Sequence, residues 1–317
     1  MVRHIICLLI LPAQIAQAQV NPEETIMPRP PNFISLPWHL YRHYPADFSR
    51  WNEAAVGFEG WDSVVRELDL SETCLVLMHL PETGLTPATE FGPNCPNPNE
   101  LGTVEWIPRT MDVVTFRLPP LLAAARAAGL QVAHVGVYGG IYMEGPIWEK
   151  CVKEAGQAPP PDKDVIVRDA DRWAKHTRDA FDLPRPENPK ALPLPPGGSA
   201  LPPELRPQGN DIIAQYPWQF HRLLKARGID HVVYCGWALN WCLWFAQCGM
   251  ADMERKGYMC SAIRGGCVAI ENAESAVGEK NLEYAYWKTS TMFGYIFDLH
   301  EFRDALRDKA KTRPQRP

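Results

Sequence analysis

The sequence predicts an α/β fold in a single domain, with a doubly wound, mostly parallel sheet and helices on both faces. Three observations predict it. Continuous apolar runs of strand length recur: "TCLVLM" from Thr73, "LQVAHVGVY" from Leu130, "IDHVVYC" from Ile229 and "GYMCSAI" from Gly257. Strands covered on both faces read this way, without polar alternation. Helical patterns alternate with these runs, as a layered α/β fold requires. Glycines stop those helices, Gly129 after "LPPLLAAARAA" and Gly228 after "WQFHRLLKAR".

The elements follow in order. Residues 1–18 combine a basic start, "MVRH", with an apolar run, "IICLLIL", too short to span a bilayer, and then Ala16-Gln17-Ala18. This pattern predicts a signal peptide cleaved after about Ala18, hence a secreted or periplasmic protein with no membrane association after cleavage. Residues 19–69 read as an N-terminal arm, rich in proline and aromatics, with "WDSVVRELDL" as a short helix. The main domain spans residues 70–308. Its first strand, Thr73 to Met78, leads into a loop rich in proline, glycine and asparagine from Pro81 to Gly102. A helix from Leu118 to Gly129 and a second strand follow. Residues 156–209 form an irregular insertion with one short helical pattern, "ADRWAKHTRDAF". Next come the helix ending at Gly228, the strand "IDHVVYC" and helical spacing from Trp241 to about Glu254. The strand "GYMCSAI", the helix "AIENAESAVGEKNLEYAYWK" and the strand "FGYIF" come after it. In the terminal helix, Asp298 and Glu301 are placed like a capping box. Residues 309–317 are a basic tail.

Composition narrows the function. With 317 residues, 46% of them hydrophobic, the chain can build a full core. A net charge of -5 gives no electrostatic case for nucleic acid. Of nine cysteines, Cys7 leaves with the signal peptide. An oxidising compartment allows some of the others to pair, and Cys95 with Cys151 is the pairing the irregular segments favour. Cys74, Cys235 and Cys260 sit in strand-like runs and read as core, as do His134 and His231. No C-x-x-C, H-x-H or H-E-x-x-H pattern is present. No metal site and no cofactor is therefore expected.

Sites in open α/β sheets form outside the carboxyl ends of the strands, here after Met78, Val137 and Cys235. Cys242 lies seven residues past Cys235, at the start of a helical pattern. A thiol at a helix N-terminus has a lowered pKa and makes a nucleophile; the other reading packs Cys242 among Trp237, Trp241, Trp244 and Phe245. His79 ends the first strand on the same edge. It reads as a base for Cys242 or as a structural histidine. Glu82, three residues on, orients it or is a surface charge.

The segments "LLAAARAAGLQVAHVGVY", "LPPELRPQGNDIIAQ", "LLKARGIDHVVYCGWALNWCLWFAQCGMADMERKGY" and "FGYIFDLHEFRDAL" follow one another in a characteristic order. Over roughly residues 70–308 the chain resembles the isochorismatase-like cysteine hydrolases, with Gly236-x-x-x-Asn240-x-Cys242 as the sharpest piece.

The resemblance implies a doubly wound fold, hydrolysis of amides or vinyl ethers, a small-molecule substrate and a lean towards a homo-oligomer. The amidases of the family use an Asp-Lys-Cys triad. Its cysteine falls on Cys242, its cis peptide between Trp237 and Ala238, and its oxyanion hole on the backbone N–H groups of Ala238 and Cys242. The aspartate position carries His79. The lysine position carries Tyr216, or Gln215 under a one-residue shift. Two readings follow. In one, His79 is the base for Cys242, and Tyr216 holds a carbonyl or donates a proton. In the other, the fold serves binding without catalysis, and Trp218, Trp237 and Trp241 make a stacking pocket.

Overall fold

The computed structural model describes residues 32–312, except for 46, 81–108, 111, 137–142, 161–162, 164–168, 170, 173–174 and 176–202. The proposed signal peptide, the loop with Glu82 and Cys95, and most of the insertion lie outside the described residues.

The chain opens with β1 (Phe33–His43) and β2 (Phe58–Asp69), an antiparallel pair in register from Phe33↔Asp69 to His43↔Phe58. The helix expected over "WDSVVRELDL" is therefore a strand. Trp61, Val64, Val65 and Leu68 do recur at helical spacing, but the ladder to β1 settles the matter. Ile34, Leu36 and Trp38 of β1 alternate inward, and β1 joins the rest of the sheet through His39↔Ile296. Residues 33–69 are thus edge strands of the sheet, not an arm laid over it.

Next come β3 (Thr73–Met78), α1 (Leu118–Ala128), β4 (Gln131–Val135), α2 (Pro146–Ala155) and β5 (Ile212–Ala214). They are followed by α3 (Pro217–Lys225), β6 (His231–Trp237), α4 (Cys242–Phe245) and α5 (Met250–Glu254). The chain closes with β7 (Met259–Val268), α6 (Lys280–Met292), β8 (Ile296–Asp298) and α7 (Leu299–Thr312). The eight strands form one sheet in the order β2-β1-β8-β7-β6-β3-β4-β5. The pairings from β8 to β5 are all parallel. The core has two halves, one on each face of the sheet. Leu118, Leu121, Phe302 and Leu306 of α1 and α7 cover one face. Phe220, Leu243, Met253 and Tyr286, from α3, α4, α5 and α6, cover the other. This is the doubly wound architecture, built from strands that are buried throughout, as in β3.

Smaller expectations divide. Gly129 ends α1 in the left-handed conformation at φ 78°. Asp298 caps α7, its Oδ1 accepting from the N–H groups of His300 (2.8 Å) and Glu301 (3.2 Å). The reciprocal half of the box is not made: the Glu301 carboxylate reaches His39 at 2.8 Å instead. Helix α7 runs to Thr312, so residues 309–312 are its last turn, not a tail. The single helix expected from Trp241 to Glu254 is broken into α4 and α5 at Cys248, where φ is +66°. Gly249 sits against the end of α4; a Cβ there would lie 2.8 Å from the Ala246 carbonyl and 3.0 Å from that of Cys242. Cys151 is buried and accepts from the Ile213 N–H at 3.4 Å, and Cys95, its expected partner, lies outside the described residues.

Candidate active site

The site is assembled where parallel strands end. Met78 is in register with Gly236, so His79 and Trp237 leave adjacent strands at the same level. Gly236 makes that crossing possible. Its φ is +124°, and a Cβ would lie 2.0 Å from the Met78 carbonyl oxygen, so only glycine fits between β6 and β3.

After β6 the chain makes a tight turn. The Trp237–Ala238 peptide is cis, at the expected position. The Ala238 carbonyl accepts from the N–H groups of Trp241 (3.1 Å) and Leu243 (3.0 Å). Leu239 N–H donates to the Val268 carbonyl at 2.8 Å, which ties the turn to β7. The Asn240 side chain spans the Ile270 backbone, donating through Nδ2 to its carbonyl at 2.9 Å and accepting its N–H at 3.0 Å. Ile270 is braced from behind. Asn281 Nδ2 donates to its carbonyl at 3.1 Å, and buried Glu271 accepts the N–H groups of Asn281 and Leu282, both at 3.0 Å. A carboxylate at the first turn of α6 suits the helix dipole there.

Cys242 opens α4 and is half-buried. The Cys242 N–H stands at the first position of its helix, where no intrahelical carbonyl is available. Trp244 pins α4 to α6, its Nε1 donating to Thr289 Oγ1 at 2.9 Å. The lowered pKa expected for Cys242 is not found. Burial pushes the thiol up, and the Ala238 N–H offsets this only in part. The cause is burial of the sulfur beneath the turn, and α4 itself is only four residues, one turn.

His79 follows β3 with a left-handed backbone, φ +49°. Its ring lies over Gly136, just past β4; a Cβ on Gly136 would meet His79 Nε2 at 2.6 Å. Burial lowers the imidazole pKa, and a hydrogen bond with the Gly136 backbone opposes that. The ring is therefore neutral near pH 7, the form a base requires. Gly136 also approaches the buried Cys248 thiol. Neither Gly136 nor Cys248 was singled out from sequence. An isolated glycine within the strand pattern "HVGVY" is the signal for such a close approach.

Tyr216 caps α3, two strands beyond His79 and three from β6, about 14 Å at sheet level. It is 41% exposed and stacks on Trp218, with ring centroids 6.2 Å apart at 10°. The Arg222 guanidinium covers the Trp218 ring at 5.0 Å. Trp237 packs into the core half formed by α1 and α7, and Trp241 is exposed. The three tryptophans thus do not line one wall. Glu82 lies outside the described residues. Among the described residues no cluster of His, Cys, Asp and Glu could hold a metal ion, and no helix is long and apolar enough to cross a membrane.

No family model matches the chain. Ureidoacrylate amidohydrolase RutB of Azorhizobium caulinodans is 29% identical over 193 residues, which cover 58% of this chain and 72% of the relative. The chain resembles the isochorismatase-like cysteine hydrolases. Solved structures similar to it include a cysteine hydrolase from Pseudomonas syringae pv. phaseolicola, with TM-score 0.44 and 15% identity, covering 76% of this chain and 95% of that one. An isochorismatase-like hydrolase from Alkaliphilus metalliredigens has TM-score 0.38 and 13% identity, over 74% and 98%. The nicotinamidase pyrazinamidase of Acinetobacter baumanii has TM-score 0.37 and 14% identity, over 73% and 97%. Cys242 stands at the turn after β6. His79 and Tyr216 stand after β3 and β5, as their sequence positions require.

Proposed function

We propose that the chain is an exported cysteine hydrolase of isochorismatase-like type that cleaves a C–N amide or similar bond of a small molecule. Cys242 is the nucleophile and His79 the base, in place of the family's aspartate, with Tyr216 in place of its lysine. The observation that carries this reading is the place of Cys242 at the turn that follows β6, the strand next to that of His79, with Gly236 in register with Met78. The name of RutB supports the bond class, since that relative is an amidohydrolase.

The chemistry starts from a neutral pair. Neutral His79 takes the thiol proton as the sulfur attacks the carbonyl carbon. The tetrahedral oxyanion is received by the Ala238 and Cys242 N–H groups. Collapse breaks the C–N bond, and the imidazolium returns its proton to the leaving amine. Water then attacks the thioester with His79 again as base, releasing the acid and restoring the thiol. Tyr216 orients the substrate carbonyl or supplies a proton. Removal of residues 1–18 places this activity outside the cytosol.

A second reading, a small-molecule binding homologue without turnover, is favoured by one observation: burial raises the Cys242 thiol instead of activating it. Alkylation with iodoacetamide at pH 8, mapped by mass spectrometry, separates the two. The hydrolase reading expects Cys242 to react ahead of Cys74, Cys235, Cys248 and Cys260, and to react more slowly in His79→Ala. Equal rates in the two proteins would remove His79 as the activator, and a disulfide at Cys242 would remove the nucleophile.

A further inference from the structure

We propose that a cleft at the carboxyl ends of β7 and β8 is a second binding site, separate from the Cys242 turn, and that it takes a small zwitterion of the α-amino-acid class. The cleft encloses about 400 Å³, within the range of small-molecule sites. Val113, Val268, Leu282 and Leu299 give it an apolar floor.

Three arginines line it, and among the described residues none has partners for all of its donors. Arg109 uses Nε for Glu279 at 2.6 Å and Nη2 for the Ala276 carbonyl at 2.9 Å. Its Nη1 is buried and has no hydrogen-bond partner among the described residues. Arg117 pairs with Asp112 through Nη2. Its Nη1 stands 3.6 Å from where a Cβ on Gly265 would lie, and Gly265, at φ +87°, keeps that space open. Arg264 pairs with Glu283 at 2.5 Å and is held between the rings of Trp61 (4.8 Å) and Tyr286 (4.5 Å). A guanidinium has five donors, so each arginine keeps some for a ligand carboxylate.

The same cleft presents acceptors for a cation. Asp298 spends Oδ1 on capping α7, and Glu283 spends Oε1 on Arg264, which leaves Oδ2 and Oε2. Asp112, Glu279, Glu283 and Asp298 together face Arg109, Arg117 and Arg264. An ion of one sign would meet repulsion from about half of this lining. A molecule with a carboxylate for Arg109 and Arg117, and an ammonium for Glu283 and Asp298, meets both halves favourably. An aliphatic side chain would rest on the floor.

Calorimetric titration of the full chain tests this with three probes: L-leucine, 4-methylpentanoate, which has only the carboxylate, and 3-methylbutylamine, which has only the amine. Leucine is expected to bind, and each single-charge analogue at least about 10-fold more weakly. Arg109→Leu should weaken leucine by about 10-fold or more, with circular dichroism checking the fold. Glu283→Gln, at a half-exposed position, gives a second variant that does not threaten folding. Cys242→Ala should bind leucine unchanged, so the outcome is independent of the hydrolase reading. The proposal is overturned if leucine does not bind, if an analogue binds as well as leucine, or if neither cleft variant weakens it.

Discussion

Asn240 holds Ile270 from both sides, donating to its carbonyl at 2.9 Å and accepting its N–H at 3.0 Å. The turn that presents Cys242 is thereby fastened to the segment after β7. The Ile270 carbonyl has a second partner in Asn281, at 3.1 Å, whereas its N–H relies on Asn240. Asn240→Ala should therefore cost about 1–3 kcal/mol, the penalty of an orphaned N–H, read as a lower urea midpoint at constant slope. Asn240→Asp keeps the acceptor and should cost less. Equal losses would show that the donor half of the clamp matters more.

Gly236 is the second fixed point. Alanine there must find room 2.0 Å from the Met78 carbonyl at φ +124°. Overpacking and backbone strain together predict a loss of about 4 kcal/mol for Gly236→Ala. Gly228, at φ +66° with nothing near its missing Cβ, isolates the strain alone, and Gly228→Ala should lose only about 1–2 kcal/mol. Chemical denaturation of both variants checks the difference.

His231 gives a pH-dependent term. It is buried against Trp38 and Phe297, with Ser261 Oγ 2.8 Å from Nε2, and burial lowers its pKa to about 4. The unfolded chain binds its proton near pH 6.5, so between about 6.5 and 4 the unfolded state holds more protons. Stability is complete above pH 6.5 and falls as pH drops towards 4, by about 3 kcal/mol for this group. His231→Gln should flatten that part of the stability curve; an unchanged slope would assign the loss to other groups.

The fully buried strands were legible because nothing competes with their reading. "TCLVLM" and "HVVYC" are apolar without a break and sit at the centre of the sheet. Edge strand β2 was not legible. Its apolar residues fall at helical spacing, and its partner β1 contains Pro37, which argues against a strand. Only their long-range pairing decides the matter. The positions of Cys242 and His79 at neighbouring strand ends followed from the order of elements. The state of the Cys242 thiol did not, because it depends on how deeply the turn is buried, and that follows only from the packed structure. Gly136 is marked by its place in "HVGVY", but its partner, the His79 ring, shows only once β4 is placed beside β3.

Cleavage of a C–N bond by Cys242 can be measured as the amine it releases. Ammonia release from a panel of small primary carboxamides, by the wild-type chain and by Cys242→Ala, is the measurement that reads it. Release from at least one compound by the wild type and from none by the variant is expected. Release that survives Cys242→Ala, or no release from any compound by the wild type, would contradict it.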